Sequence, residues 1–233
     1  MKIDEAMDTL AKFFNDLIGA WVPGAVLALG LAVMHLGPSH LQMISKLGDS
    51  SGTALTIAGL LFALGHTLLA VYDHGIKSLL KKTKILKGFD EVKLKKRQPY
   101  VWFSKWVEAQ QVGSLVQDWS YNDLRSVALS VSAEAASLGR RFMFISLLCN
   151  GVGTALSIIG FDYVACIIFY PKLLYPYEQV APWPVQAVLL FVIAWILFKQ
   201  GEVFYSRAMA TPFTVAIAEM NFKKESNVSN TSI

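Results

Sequence analysis

The side chains around the end of the second apolar stretch could support chemistry. His66 lies inside that stretch, and Asp73 and His74 lie where it ends. Histidine with aspartate can bind a metal ion or serve a membrane hydrolase, and a histidine at membrane depth can relay protons, respond to pH or contact a ligand. On a helix of 3.6 residues per turn, position 74 is turned by about 100° from position 73, so the three side chains do not share one face. The spacing therefore argues against a metal site or an enzyme, and His66 is interpreted as a neutral histidine bonded across a helix interface.

Asn150 is a second polar side chain at membrane depth, and it is followed by Gly151 and Gly153. A carboxamide in hydrocarbon needs a hydrogen-bond partner, and glycine lets two helices approach closely. An interhelical hydrogen bond or a local kink explains this pattern better than ion coordination does. We predict that His66 and Asn150 line the interior of a helix bundle.

The sequence contains none of the catalytic motifs for which we searched. It has no G-x-S-x-G elbow, no P-loop, no H-E-x-x-H and no pair of carboxylates at membrane depth. The two cysteines, Cys149 and Cys166, have neither a disulfide framework nor a metal-ligand spacing, and they are interpreted as buried structural thiols. The sequence therefore predicts a non-enzymatic protein with no cofactor and no metal.

The elements that must position these residues are long apolar stretches. The chain has 233 residues, of which 54% are apolar and 16% charged, and its mean hydropathy is +0.45, which excludes an ordinary soluble domain. A helix needs about 20 apolar residues to cross a bilayer. Four stretches meet this requirement, namely 17–36, 54–72, 142–161 and 180–198. The helix of the fourth stretch is expected to begin near Pro184. The predicted fold is an all-α polytopic membrane protein with four transmembrane helices and cytoplasmic helical extensions.

The positions of the basic residues indicate the orientation. If both termini are cytoplasmic, the inner segments 1–16, 73–141 and 199–233 hold 19 of the 21 Lys and Arg residues, and only Lys46 and Lys172 lie outside. Cytoplasmic loops carry such an excess of positive charge. We predict a multi-pass membrane protein with cytoplasmic N and C termini. The pI of about 9.0 follows from this topology, and nucleic acid is not predicted as a partner.

The long inner segment combines positive charge with large aromatic side chains. Residues 76–106 carry ten Lys or Arg residues against two acidic residues. This composition suits the anionic inner leaflet, where each basic residue contributes about 1 kcal/mol. The residues predicted to contact the membrane surface are Lys77, Lys81, Lys82, Lys84, Lys95, Lys96, Arg97, Trp102 and Trp106.

Two spans are predicted to extend into the cytoplasm. Apolar residues recur every three or four positions over 121–141, which predicts one helix continuing into the third span. Residues 199–219 predict a similar extension of the fourth span, with a kink or break at Pro212, and the polar residues 223–233 predict a disordered tail. These extensions would form a stalk, on which the predicted partner contacts are Arg125, Arg140, Arg141 and Arg207.

Pro23-Gly24 in the first span and Gly65-His66 in the second are followed by a charged inner segment and a helix entering the third span. In this layout the chain resembles small bacterial four-span membrane proteins, some of which are components or effectors of anti-phage defence systems of the retron or Kiwa type. The resemblance covers the arrangement of most of the chain and carries over no catalytic residues. It implies a bacterial inner membrane and a setting in antiviral defence.

The sequence divides into five predicted segments. They are an amphipathic helix (1–16), a first transmembrane hairpin (17–72), a basic cytoplasmic helical segment (73–141), a second transmembrane hairpin (142–198) and a cytoplasmic helix with its tail (199–233). We expect a homo-oligomer that acts by perturbing the membrane as a pore or by docking a cytoplasmic protein. Two alternatives remain. One is a small channel or transporter that uses His66 and Asn150, and the other is an inner-leaflet enzyme that uses Asp73 and His74.

Overall fold

The computed structural model describes residues 3–40, 51–110, 119–176 and 182–230, and it describes side chains within 18–221 of these ranges. The connection 37–53 between the first two apolar stretches, which is outer on the predicted topology, falls mostly outside the described residues. In chain order the helices are α1 (Ile3–Leu36), α2 (Ser51–Val71), α3 (Lys77–Lys82), α4 (Glu91–Lys95), α5 (Gln98–Gln110), α6 (Tyr121–Val131), α7 (Ala133–Phe169) and α8 (Trp183–Asn230).

Four segments are long and apolar enough to cross a bilayer. They are Ile18–Leu36, Ser51–Lys82, Ala133–Phe169 and Trp183–Asn221. Because the described residues form helices and contain no strand, the predicted all-α polytopic fold is confirmed. Each span overlaps one of the apolar stretches in the sequence.

The chain divides into two units, and this division differs from the predicted linear one. The membrane unit comprises Met1–Leu86 and Phe144–Gly201, and the aromatic unit comprises Lys87–Met143 and Glu202–Ile233. The aromatic unit therefore combines the basic segment with the later part of α8. A segment of about 70 residues is small for a core of its own, and the contribution from α8 supplies the missing apolar surface.

Within the membrane unit, α1 and α2 pack backbone against backbone. A Cβ atom at Gly24 would overlap the carbonyl oxygen of Leu61, and a Cβ atom at Gly65 would overlap that of Ala20. On α7, a Cβ atom at Gly151 would lie 2.6 Å from the ring of Pro23. Glycine is required at these positions because any side chain would push the helices apart.

The helix predicted over 121–141 is interrupted at Ser132. This residue has an extended backbone, with φ −134° and ψ 115°, and it separates α6 from α7. Its hydroxyl accepts a hydrogen bond from the Ala135 amide at 3.0 Å, as in a helix N-cap. The prediction of one continuous helix is wrong because Ser132 caps the start of α7.

The fourth span shows the opposite deviation. Pro212 does not interrupt α8, which begins at Trp183 and continues to Asn230. A proline inside a helix loses one backbone hydrogen bond, and here the ring is fully buried, so packing offsets this loss. In the segment 223–233, for which the sequence predicts a disordered tail, the described backbone is helical as far as Asn230.

Candidate functional site

His66 does not line the interior of the bundle formed by one chain. Its side chain is exposed and contacts the ring of Phe62 edge-on, with the ring centroids 4.5 Å apart. The buried residues of α2 are Gly65 and Leu68. Position 66 is turned by about 100° from position 65 on a helix, so it faces away from the packed side. The prediction of an interior His66 is therefore wrong for the single chain.

Asp73 and His74 are also exposed, at the turn of π-helix formed by Tyr72–Ile76. The carboxylate of Asp73 pairs with Lys77 at 2.9 Å, which is a local ion pair along one helix face. Among the described residues, the group that could hold a metal ion contains neither of them. The arrangement thus gives no support to an enzyme built on Asp73 and His74.

Asn150 lies in a polar layer between α7 and α8. It is buried, and its Oδ1 atom has no hydrogen-bond donor among the described residues. A Cβ atom at Gly201 would overlap this amide, so the two backbones approach closely there. One turn earlier, the Ser146 hydroxyl donates to the Gly201 carbonyl at 2.8 Å. The structure therefore places Asn150 in the bundle interior, where small and polar residues hold two spans together.

The aromatic unit has a core of stacked and edge-packed rings. Tyr121 lies parallel to Tyr100 with centroids 5.4 Å apart, and Phe213 packs edge-on against Tyr121 and Phe103. Phe103 is fully buried, as is Phe213 at 2% exposure. Pairs of this geometry contribute roughly 1 kcal/mol each beyond their buried area. The rings come from α5, α6 and α8, so the core joins segments that are distant in the sequence.

Two polar groups on α6 are tied to α8. The Tyr121 hydroxyl donates to the Met209 carbonyl at 2.8 Å, and Arg125 Nε donates to the Ala208 carbonyl at 3.2 Å. Burial raises the pKa of Tyr121 and lowers the pKa of Arg125. The prediction that Arg125 contacts a partner is not supported, because its guanidinium is half-buried and bonded inside the unit. The other predicted partner contacts, Arg140, Arg141 and Arg207, are exposed.

The predicted membrane-surface residues are placed in different environments. Trp106 is half-buried and its ring lies 5.8 Å from that of Phe103, so it belongs to the aromatic core. Trp102, the residue before Phe103, is 55% exposed. The ammonium groups of Lys77 and Lys95 are paired with Asp73 and Glu91, and Glu91 raises the pKa of Lys95. The remaining members of the set are exposed, namely Lys81, Lys82, Lys84, Lys96 and Arg97.

A cluster that the sequence did not predict lies at the C-terminal ends of α1 and α7. His35 Nε2 is 2.7 Å from Asp162 Oδ2, and the Cys166 sulfur is 3.9 Å from Asp162 Oδ1. The three ligand atoms lie within 4.8 Å of one another. His35 and Asp162 are partly exposed and Cys166 is buried. A nitrogen, an oxygen and a sulfur ligand thus meet at one point of the membrane unit.

The sequence contains a partial signal for this cluster. Asp162 and Cys166 are four residues apart, which places them on one face of a helix. His35 is 127 residues from Asp162. However, His35 lies close to the end of the first apolar stretch. On the predicted topology, the C-terminal ends of α1 and α7 reach the same side of the membrane. The prediction of a buried structural thiol at Cys166 takes no account of Asp162 one helical turn earlier.

Comparisons of the chain with protein-family models, with curated proteins and with solved structures found no match.

Proposed function

We propose that this chain is a non-enzymatic protein of a bacterial inner membrane that docks a cytoplasmic protein through the basic surface of its aromatic unit. The observation that carries the proposal is the burial of Phe103 and Val107 in a core shared with Tyr121 and Phe213. A segment lying on lipid would turn its aromatic rings outward. Here the rings are used for folding, and the charges are left at the surface of a folded unit.

The membrane unit supports docking over conduction. At Gly24 and Gly65, α1 and α2 touch with no room for a side chain, and Gly151 brings α7 against Pro23. Further along α7, a Cβ atom at Gly153 would lie 2.9 Å from the ring of Phe198 on α8. Helices in backbone contact leave no space for an ion at those levels. A pore within a single chain would have to separate these contacts, so the channel alternative requires an assembly of several copies.

The chemistry of the surface indicates the partner. Lys96 and Arg97 are exposed where α4 gives way to α5. The nearby acidic side chains are used within the unit, since Asp90 accepts a hydrogen bond from the Lys93 amide at 2.9 Å and Glu91 pairs with Lys95. The free charge at this surface is therefore positive. An acidic surface on a cytoplasmic protein is complementary to it.

The proposal includes assembly with further copies of the chain through α2. In the most apolar window of the span Ser51–Lys82, 11% of the residues are buried, against 22% to 39% in the other three spans. His66 is exposed on this helix, beside Ala63 and Thr67. An imidazole facing lipid is costly, whereas small neighbours allow a second helix to cover it. A second copy would provide that cover.

The test compares charge reversal on two surfaces. The full-length chain is purified in a neutral detergent from its own host, and the proteins that co-purify are identified for the wild type and for Lys96→Glu/Arg97→Glu. Lys172→Glu is the matched control, because Lys172 is exposed and lies on the predicted outer side. We expect a partner whose recovery falls at least about tenfold with the double variant and is unchanged with Lys172→Glu. Equal recovery with all three chains would overturn docking through this surface.

Membrane potential separates docking from membrane perturbation. Cells producing the chain from an inducible promoter are expected to keep their membrane potential, and a rapid depolarisation would favour the pore. The defence setting is tested by challenging the same cells with phages. On our proposal, any protection would be lost with Lys96→Glu/Arg97→Glu and retained with Lys172→Glu.

A further inference from the structure

We propose that His35, Asp162 and Cys166 form a binding site for a divalent transition-metal ion of borderline softness, such as Zn²⁺. This site is independent of the proposed docking function. Imidazole nitrogen, carboxylate oxygen and thiolate sulfur are the three ligand types that Zn²⁺ accepts, and three protein ligands with an open fourth position are common for it. The harder cations Mg²⁺ and Ca²⁺ prefer oxygen ligands and have little affinity for thiolate.

The hydrogen bonds of His35 direct its free nitrogen towards the cluster. Nδ1 lies 3.0 Å from the carbonyl oxygen of Leu173. A carbonyl can only accept, so Nδ1 carries the proton and the neutral ring presents a lone pair at Nε2. A backbone carbonyl holds metal-binding histidines in the same way. Leu173 belongs to the segment that follows α7. This segment is also hydrogen-bonded to the end of α1, because the Tyr175 amide donates to the Met34 carbonyl at 3.0 Å.

The contact between His35 Nε2 and Asp162 Oδ2 then needs a positive charge. At 2.7 Å, a lone pair on nitrogen would face a lone pair on oxygen. Either a proton or a metal ion must lie between them. In the absence of a metal, two protons account for the arrangement: one is shared by His35 and Asp162, and the other is on Cys166, whose thiol donates to Asp162 Oδ1 at 3.9 Å. A metal ion that replaced both protons would bind all three side chains at once.

The separations of the ligand atoms are close to those that a tetrahedral ion requires. With bonds of about 2.1 Å to nitrogen and oxygen and about 2.3 Å to sulfur, the ligand atoms lie about 3.4 Å (nitrogen to oxygen) and about 3.6 Å (sulfur to oxygen) apart. The observed separations are 2.7 Å from His35 Nε2 to Asp162 Oδ2 and 3.9 Å from Cys166 Sγ to Asp162 Oδ1, and the three ligand atoms lie within 4.8 Å of one another. Small side-chain adjustments would bring the three ligand atoms to these distances. Asp162 and Cys166 are held on one face of α7, so His35 is the ligand that has to adjust.

Metal binding balances in protons without any redox step. The ion replaces the proton shared by His35 and Asp162, and Cys166 loses its thiol proton to solvent as the sulfur-metal bond forms. The metal would join the end of α1 to the end of α7.

Cobalt is the probe for the experiment because a thiolate bound to Co²⁺ gives a charge-transfer absorption band in the near ultraviolet. The full-length chain is purified in detergent with Cys149→Ser, so that Cys166 is its only thiol. We expect the band to appear with Co²⁺ and to disappear when Zn²⁺ is added. Absence of the band in this variant would overturn the proposal. So would a band that persists in the Cys166→Ser chain, in which Cys149 is retained.

Two further measurements address the other two ligands and the chain without substitutions. His35→Gln and Asp162→Asn are expected to weaken Co²⁺ binding at least about tenfold, and unchanged affinity in both variants would contradict the site. In the unaltered chain, Zn²⁺ should slow maleimide labelling of Cys166 and leave the labelling of Cys149 unchanged, which requires no substitution in the site. Equal effects on the two thiols would indicate non-specific binding and count against the proposal.

Discussion

The carbonyl oxygen of Ala20 on α1 faces Gly65 on α2 so closely that Gly65 has no room for a Cβ atom. The neighbouring contact, between Gly24 and the carbonyl oxygen of Leu61, has the same character. Together they fix the crossing of the first two spans. Backbone contact of this kind gains dispersion energy and depends entirely on the absence of a side chain.

We predict that Gly65→Ala destabilises the protein. The added methyl group meets a backbone carbonyl, which cannot turn aside as a flexible side chain can, so the two helices must separate. Overpacking of this kind costs about 1 to 3 kcal/mol. The thermal unfolding midpoint of the purified chain in detergent should therefore fall.

Gly59→Ala is the control on the same helix. A Cβ atom at Gly59 has no neighbour within 4 Å, and alanine favours a helix over glycine by about 1 kcal/mol. This variant should be as stable as the wild type or slightly more stable. If Gly65→Ala behaved like Gly59→Ala, the close contact with Ala20 would be refuted.

Phe213→Ala should disrupt the aromatic unit. Its ring is buried among those of Tyr100, Phe103 and Tyr121, and truncating a buried phenylalanine costs about 3 to 5 kcal/mol. We expect faster proteolysis of the full-length chain within 87–110 and 119–131. Trp102→Ala removes a ring that is 55% exposed and should leave the cleavage rate near that of the wild type. Equal cleavage of the two variants would show that the core does not depend on Phe213.

The start of α6 predicts a pH dependence. The Asp123 carboxylate accepts hydrogen bonds from the Ser120 hydroxyl at 2.7 Å and from the Ser120 amide at 2.9 Å, which lowers the pKa of Asp123. Because the pKa is lower in the folded than in the unfolded chain, the unfolded chain takes up the proton first as the pH falls. The stabilisation is complete above the ordinary aspartate pKa of about 3.9 and is lost as the pH falls through the folded value.

Asp123→Asn is the variant that tests this pH dependence. Its unfolding midpoint should be closer to that of the wild type at pH 3 than at pH 7, because the wild-type contribution is then fading. Ser120→Ala should cost about 1 kcal/mol at pH 7 through loss of the helix cap. A constant difference between Asp123→Asn and the wild type over this pH range would contradict the role of the charged carboxylate.

The spans could be predicted from the sequence because each is apolar around most of its circumference and long enough to cross a bilayer. The side of each span that is buried could not be predicted in this way. The polarity of His66 predicts a place in the interior, yet Gly65, one residue earlier, occupies the packed face. Close packing selects the smallest residue, and this preference is not visible in a hydropathy profile.

The candidate sites depend on contacts between distant segments. The sequence predicts Arg125 to be a surface charge, but its guanidinium donates a hydrogen bond to the Ala208 carbonyl. The ring of Trp106, predicted to lie on the membrane surface, packs on Phe103 of the same helix. The His35 and Asp162 contact joins residues from two spans that have no sequence pattern in common. Local spacing predicts neighbours on one helix, but the pairing of helices is decided by packing.

Contact between copies through α2 can be tested by cysteine cross-linking. In a chain with Cys149→Ser and Cys166→Ser, Ala63→Cys places a thiol on the exposed side of α2, close to His66. If a second copy covers this side, oxidation in the membrane should give a disulfide-linked dimer in high yield.

Val188→Cys on α8 is the control for this cross-link. Val188 is 59% exposed and lies on another span, so this variant should cross-link weakly. Adding His66→Ala to Ala63→Cys should reduce the yield, because the polar contact that favours association is lost. Equal yields at positions 63 and 188, unaffected by His66→Ala, would indicate random collisions and exclude an interface on α2.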